Sequence, residues 1–349
     1  MTAFADRKAR WRAFYDGAPV MPFVFQIAYN PDPPPRPLPN PSLKRERLEW
    51  AWGQYERGLA RAEWLADDFI PSLDSYTGTE IFAEAFGCPV HRTNDNMPFA
   101  LPIITRAEQV DDLLIPDLHA PPLALLFEIA DELRHRAGEG ALMRLVDIQS
   151  PMDIAALIWD KNTFYTALIE TPEAVQALAG KVRALITAFL DAWFARYGYD
   201  FIAHYPYYYM PGGMTLSEDE VGAVSSVMFD ELFLPELVEL SERYGGIGIH
   251  CCADSRHQWR GFARIPGLRM LNICQPPEVA RDAYAFFAPR CGQFHWSVWD
   301  GPAWTWPEQW PAGARVVIDI GAETQEEAVE LAKKLTEVRE FTSPPGPLP

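Results

Sequence analysis

The stretch that most restricts the fold is YGGIGIHCCADSRHQWRGFARIPGLRMLNICQPP, residues 244–277. Two short apolar runs in it, 247–249 and 270–273, have the length and composition of buried strands. His250 and Cys252 follow the first run, and Cys274 closes the second. Side chains alternate with period two along a strand, so His-x-Cys puts imidazole and thiol on one side. A parallel neighbour ending in Cys brings a third donor to the same rim. Three protein ligands with an open fourth position is the arrangement of a catalytic zinc. The same residues also read as core filling, since free Cys is among the most buried residue types and Cys251 stands beside Cys252. Spacing alone leaves both readings open.

Similar runs recur along the chain. Strand-like segments at 20–28, 69–73, 142–148, 199–209, 293–298 and 315–320 bring the count to about eight. Helical patterns lie between them. The pattern at 44–65 carries Leu48, Trp52, Tyr55, Leu59 and Ala62 on one face, and others span 79–86, 123–136, 171–197, 229–243, 277–287 and 324–338. A helix over 4–16 is expected to cap the base. This alternation argues for a parallel sheet, and 349 residues suit a single (β/α)8 TIM barrel better than an open sheet. No Gly-rich phosphate loop or dinucleotide fingerprint follows any strand. The proline-dense segment NPDPPPRPLPNP is an extended loop, either a surface connection or a rim segment over the site. The expected organisation is one domain: cap helices and proline-rich loop over 1–65, the barrel over 66–340, and a flexible tail over 341–349.

Composition narrows the partners. A net charge of -18 argues against nucleic acid, whose phosphates need clustered Lys and Arg. No run of about 18 apolar residues predicts a membrane span, and the charged start MTAFADRKARWRAFYDG has no apolar core of a signal peptide. Five dispersed cysteines, an odd number, point to reduced thiols in a cytoplasm.

In such barrels the carboxyl ends of the strands form the active site. That rule favours Cys252 and Cys274 over Cys291, which precedes a strand, and Cys88, which follows a helix. Asp147 and Gln149 end their strand, and a buried carboxylate needs a partner or a function. His204, Tyr207 and Tyr209 lie on the aromatic segment YDFIAHYPYYY, Trp296 and Asp300 flank another strand end, and Asp74 sits in a rim loop. The functional reading makes Asp147, His204 and Tyr207 catalytic, with Gln149, Tyr209, Trp296, Asp300 and Asp74 binding substrate. The bland reading makes the aromatics core residues, His204 a satisfied core histidine and Asp74 a solvated carboxylate. The abundance of Tyr and Trp favours an aromatic substrate.

The run GGMTLSEDEVGAVSSVMFDELFLPELVELSERYGGIGIHCCAD resembles the uroporphyrinogen decarboxylase superfamily, through Leu216, Ser217, Asp219, Ser226, Phe229, Phe233, Pro235, His250 and Cys252. QSPMDIAALIWD and TGTEIFAEAFGCPV resemble two further segments of that superfamily, and the likeness extends over roughly 10–340. It implies a TIM barrel. True decarboxylases of this type use no metal and hold the substrate carboxylates with an arginine pair after the first strand. Here that stretch reads VFQIAYNPDPPPRP, without the pair. The other branch, methyltransferases working with corrinoid proteins, coenzyme M or folates, binds zinc through His-x-Cys and a later ligand. The late cysteine of the coenzyme M branch is absent from VVIDIGAE, whereas Cys274 falls about where the methionine synthases place a ligand. The resemblance therefore implies a zinc methyltransferase with His250, Cys252 and Cys274 as ligands, a small substrate, a corrinoid or folate carrier (the corrinoid on a partner protein), and a monomer or homodimer. The alternatives are a metal-free decarboxylase and a non-catalytic binding barrel.

Overall fold

The computed structural model describes residues 2–17, 21–296 and 299–342. Strands follow one another around a ring in chain order: β1 (Phe23–Ala28), β2 (Ser72–Leu73), β3 (Leu142–Met143), β4 (Met214–Ser217), β5 (Ile247–Cys251), β6 (Leu268–Ile273), β7 (Gly292–Gln293) and β8 (Arg315–Gly321). The strands from β4 to β8, with β1 beside β8, form one six-stranded parallel sheet. The ring continues through shorter contacts. Gln149, beyond the end of β3, pairs in parallel with Ser217 of β4, and β2 pairs in parallel with β3. Between β1 and β2 the Asp68 N–H donates to the Phe25 carbonyl at 2.8 Å. Side chains complete that seam, the Asp68 and Asp67 carboxylates accepting the N–H groups of Phe25 and Ile27 at 2.9 and 3.1 Å. These connections make the (β/α)8 barrel that the alternation predicts.

The long helices fall where the apolar stripes place them, at Lys44–Trp64, Pro121–Ala137, Pro172–Tyr197, Pro277–Phe287 and Gln325–Thr342. Pro172–Tyr197 runs unbroken through Gly180. Helix Pro151–Ile158 begins where Ser150 Oγ accepts the Asp153 N–H and Pro151 takes the first turn. Helix Thr2–Tyr15 closes the base: Arg315, at the start of β8, donates to the carbonyls of Phe14 and Tyr15 at 2.9 and 2.7 Å. The proline-rich loop belongs to the rim, since Arg36 lies over the Tyr76 ring at 4.0 Å. No helix of the described residues is long and apolar enough to cross a membrane. All five cysteines are free.

Three expectations need correction. The segment 199–209 is not one strand. Asp200–Ile202 and Tyr209–Pro211 pair antiparallel as a hairpin, because Pro206 cannot donate to a ladder and the chain turns back there. Ile202 still pairs with Arg144 beside β3, so the fourth place in the ring is shared between this hairpin and β4, which the sequence reading passed over. Gly213 lets β4 begin: its φ is +85°, and a Cβ there would sit 2.7 Å from the Gly246 carbonyl. The segment expected as a strand over 293–298 ends its ladder at Gln293, with Ser297 and Val298 outside the described residues. The tail expected from 341 is helical to Thr342, and 343–349 also lie outside.

Candidate metal centre

β5 and β6 carry the centre. Their register sets His250 beside Asn272 and Cys251 beside Ile273, and the Cys274 N–H extends the pairing to the Cys251 carbonyl at 2.9 Å. Alternation sends Cys251 into the core and leaves Cys252 exposed beyond the strand end, with Cys274 half-buried. The donor atoms of His250, Cys252 and Cys274 all lie within 4.8 Å of one another. His250 Nε2 is 3.0 Å from Cys252 Sγ.

The surroundings prepare these donors. His250 Nδ1–H donates to Asn272 Oδ1 at 2.5 Å, and the Asn272 amide in turn donates to the Phe294 carbonyl. Asn272 therefore fixes the tautomer that leaves a lone pair on Nε2, as the outer hydrogen bond of a metal-binding histidine does. Asp219 Oδ1 accepts the Cys252 N–H at 2.6 Å, and Gln275 donates to the Cys252 carbonyl at 3.1 Å. Burial lowers the His250 pKa and so favours the neutral ring that a metal requires. Burial, then the Asp219 charge, then Cys274 push the Cys252 thiol up to about 12, and burial raises Cys274 as well. As bare thiols the pair stays protonated at neutral pH; a divalent cation reverses that balance. Two sulfurs and one nitrogen match the donor preference of zinc. The residues fit the ion.

Around the centre, Tyr205 packs edge-on against His250 at 4.7 Å and lies tilted against Trp296 at 5.3 Å. Trp296 Nε1 donates to Asp319 at 3.3 Å. His204 Nε2 lies 3.5 Å from Asp147 Oδ2, and Asp147 N–H donates to Thr77 Oγ1. Burial raises the Asp147 pKa, with His204 and His250 opposing it. His204 Nδ1 and Gln149 Oε1 are buried without a hydrogen-bond partner. Asp147, Gln149, His204, Trp296 and the three metal donors thus belong to one mouth.

Other predicted residues stand apart. Asp74 is buried and paired with Arg144 at 2.7 Å, and Tyr207 lies under that guanidinium at 3.8 Å; both border a neighbouring cavity. Tyr209 is a correction. Its hydroxyl donates to Asp200 at 2.6 Å, and Arg12 of the base helix approaches its ring, because the hairpin carries it back from the mouth. Asp300 is a second correction: its side chain is 88% exposed and paired with Arg281 on the outer surface. Asn272 and Tyr205 have no counterpart among the residues expected from the sequence, and Asp219 figures there only as part of the family resemblance, without a role at the site. Asn272 had a signal, since it precedes Cys274 by two residues on the same strand face.

A parallel barrel bearing an imidazole and two thiols at the carboxyl ends of adjacent strands defines a class: a barrel with donors for a soft metal at its mouth. The sequence profile of the family Uroporphyrinogen decarboxylase (URO-D) matches residues 76–284, and the chain belongs to that family. Among solved structures, a methyltransferase from Methanosarcina mazei superposes with a TM-score of 0.62 at 13% identity, over 96% of this chain and 98% of that one. No curated protein sequence matches.

Proposed function

We propose that this barrel is a zinc-dependent methyltransferase. It moves a methyl group between a small methylated compound, for instance an aromatic methoxy compound, and a thiol, folate or corrinoid carrier. The observation that carries the reading is the convergence of His250, Cys252 and Cys274, with the outer nitrogen of the histidine held by Asn272. The likeness to a methyltransferase along nearly the whole of both chains supports it.

Zinc held by these three residues would keep a fourth position open, and supplies thiol acidification or Lewis acidity. The protein's own residues do the rest. Asn272 keeps His250 in the ligating tautomer, and Asp219 holds the backbone of Cys252. Asp147 keeps His204 oriented, which suits His204 to take or return a proton at Nδ1, the ring nitrogen without a partner. Tyr205 and Trp296 form an aromatic wall on one side of the site. A corrinoid would arrive on a partner protein docking at the rim.

Metal content tests the reading. About one zinc per chain is expected, lost in both Cys252→Ala and Cys274→Ala. Zinc lost only with Cys252 moves the third ligand elsewhere. No zinc, even after reconstitution, overturns the proposal and leaves metal-free decarboxylation or simple binding.

A further inference from the structure

A second feature of the mouth is independent of the sulfurs. A cavity of about 270 Å³ lies between the loop after β1, helix Lys44–Trp64 and the ends of β2 and β3. Five polar atoms of its lining residues are buried without a hydrogen-bond partner: Trp50 Nε1, Gln54 Nε2, Arg61 Nε, Ser72 Oγ and Arg144 Nε. Each can donate, and four of them only donate. A buried donor without an acceptor is destabilising, so a cluster of them marks a place built for an acceptor that comes from outside.

The charge of the lining says which acceptor. Four guanidiniums (Arg36, Arg57, Arg61 and Arg144) face one carboxylate, Asp74, and Arg144 already pairs with it. Among the described residues no ion pair within 4 Å engages the other three, and only Arg61 feels nearby carboxylates, those of Asp67 and Asp319, which do not line the cavity. Arg57 donates only to the neutral oxygens of Asn30 and Asp32 at 3.2 and 3.4 Å, Arg61 stacks on Phe69 and Arg36 on Tyr76. In a chain of net charge -18, a walled cationic cavity attracts a small anion against the overall field. Planar guanidiniums match carboxylate and phosphate oxygens in pairs.

We infer that this cavity is an oxyanion subsite, taking the carboxylate or phosphate end of a small substrate. Its volume admits one such group and no tetrapyrrole. Tyr207 lines it, its ring 6.5 Å from Tyr205, which packs on His250 at 4.7 Å. A substrate held here by its anionic end would extend along these rings towards the centre. That its far end reacts there rests on the methyltransferase reading; the subsite itself does not.

The full chain, zinc-free and zinc-loaded, is titrated calorimetrically with benzoate, inorganic phosphate and neutral benzamide. One site per chain is expected for benzoate, phosphate or both, with benzamide silent. Arg61→Met and Arg57→Gln should weaken it about tenfold or more, and Arg45→Gln, on the outer surface, should leave it unchanged. Saturation by benzoate alone assigns a carboxylate, by phosphate alone a phosphate ester. The inference is overturned if neither anion saturates below about 10 mM, if benzamide binds as well, or if Arg57→Gln changes nothing. Arg57 is exposed and holds only neutral partners, so that variant decides should Arg61→Met fail to fold. Anion binding in a chain that takes up no zinc keeps the subsite and removes the methyltransferase reading; zinc uptake without anion binding does the reverse.

Discussion

The two sides of the barrel mouth are built by opposite means. The sulfur side stands on β5 and β6, paired through five registered residue pairs, and its supporting polar groups are matched: His250 to Asn272, Asn272 to Phe294, Cys252 to Asp219. The guanidinium side stands on a helix, a proline-rich loop and two-residue strands, and leaves five donors of its lining unmatched. A site for a resident ion profits from groups fixed in advance by a rigid ladder. A site for a visiting anion must leave its donors open until the ligand arrives, and it pays for that in stability. One mouth holds both.

The largest test of this division crosses the two sides. Cys252→Ala should abolish zinc uptake and leave benzoate or phosphate affinity within about twofold, whereas Arg61→Met should weaken the anion tenfold or more and leave zinc stoichiometry at one. Metal analysis and calorimetry on the same two preparations read both. Loss of both properties in either variant would merge the sides into one network. Next in size is Asn272→Ala, which frees the outer nitrogen of His250. Chelator competition should show zinc held about 10–100-fold more weakly, with Asn272→Asp, which keeps an acceptor, closer to the parent. An unchanged affinity would mean that Asn272 serves only the Phe294 carbonyl.

The same contrast explains what could be read from the chain. Short apolar runs closed by His-x-Cys and by Cys announce themselves, and period-two geometry on parallel neighbours carries His250, Cys252 and Cys274 to one rim. Helix Lys44–Trp64 and the barrel order were legible for the same reason, through stripe and alternation. The guanidinium side was not. Arg57 and Arg61 look like the solvated face of an amphipathic helix; Arg57 does stay exposed at the cavity edge, and stacking on Phe69 turns Arg61 inward. The hairpin was hidden because YDFIAHYPYYY has strand composition throughout, and composition does not say where a chain reverses. β4 was missed because four residues beside a Gly-Gly pair carry too little periodic signal. Asp300 looked like a strand-end residue, yet nothing in its neighbours marks which wall of the loop it occupies.

A smaller effect probes how rigid the sulfur side is. Gly248 lies in the middle of β5, where a Cβ would collide with the Tyr208 hydroxyl and meet Thr215 Cγ2 at 3.0 Å. Tyr208 is buried and cannot swing away. Gly248→Ala should destabilise the fold by about 3 kcal/mol in denaturant titration and lower zinc affinity by displacing the strand end. Destabilisation with zinc affinity intact would show that His250 is positioned by Asn272 rather than by the backbone of its own strand.

The smallest effect belongs to the guanidinium side, where a buried carboxyl stores a proton. Glu80 is buried, its Oε2 has no partner, and burial, opposed by its own backbone N–H and joined by Glu84, pushes its pKa up to about 7. Arg47 is near but spends its guanidinium on the carbonyls of Ser75 and Tyr76 at 3.0 and 2.8 Å. The native state thus keeps a proton that the unfolded chain, with an ordinary glutamate near 4.3, releases. Stability from this group is full below the unfolded value and falls as pH rises towards 7, after which it stays flat. Glu80→Gln removes the slope. The variant should gain on the parent by on the order of 3 kcal/mol between pH 4.5 and 7, with the difference level above that, read as the difference between two urea curves so that other carboxyls cancel. A parallel pair of pH profiles would show that Glu80 is ionised in the native chain and that Arg47 neutralises it after all.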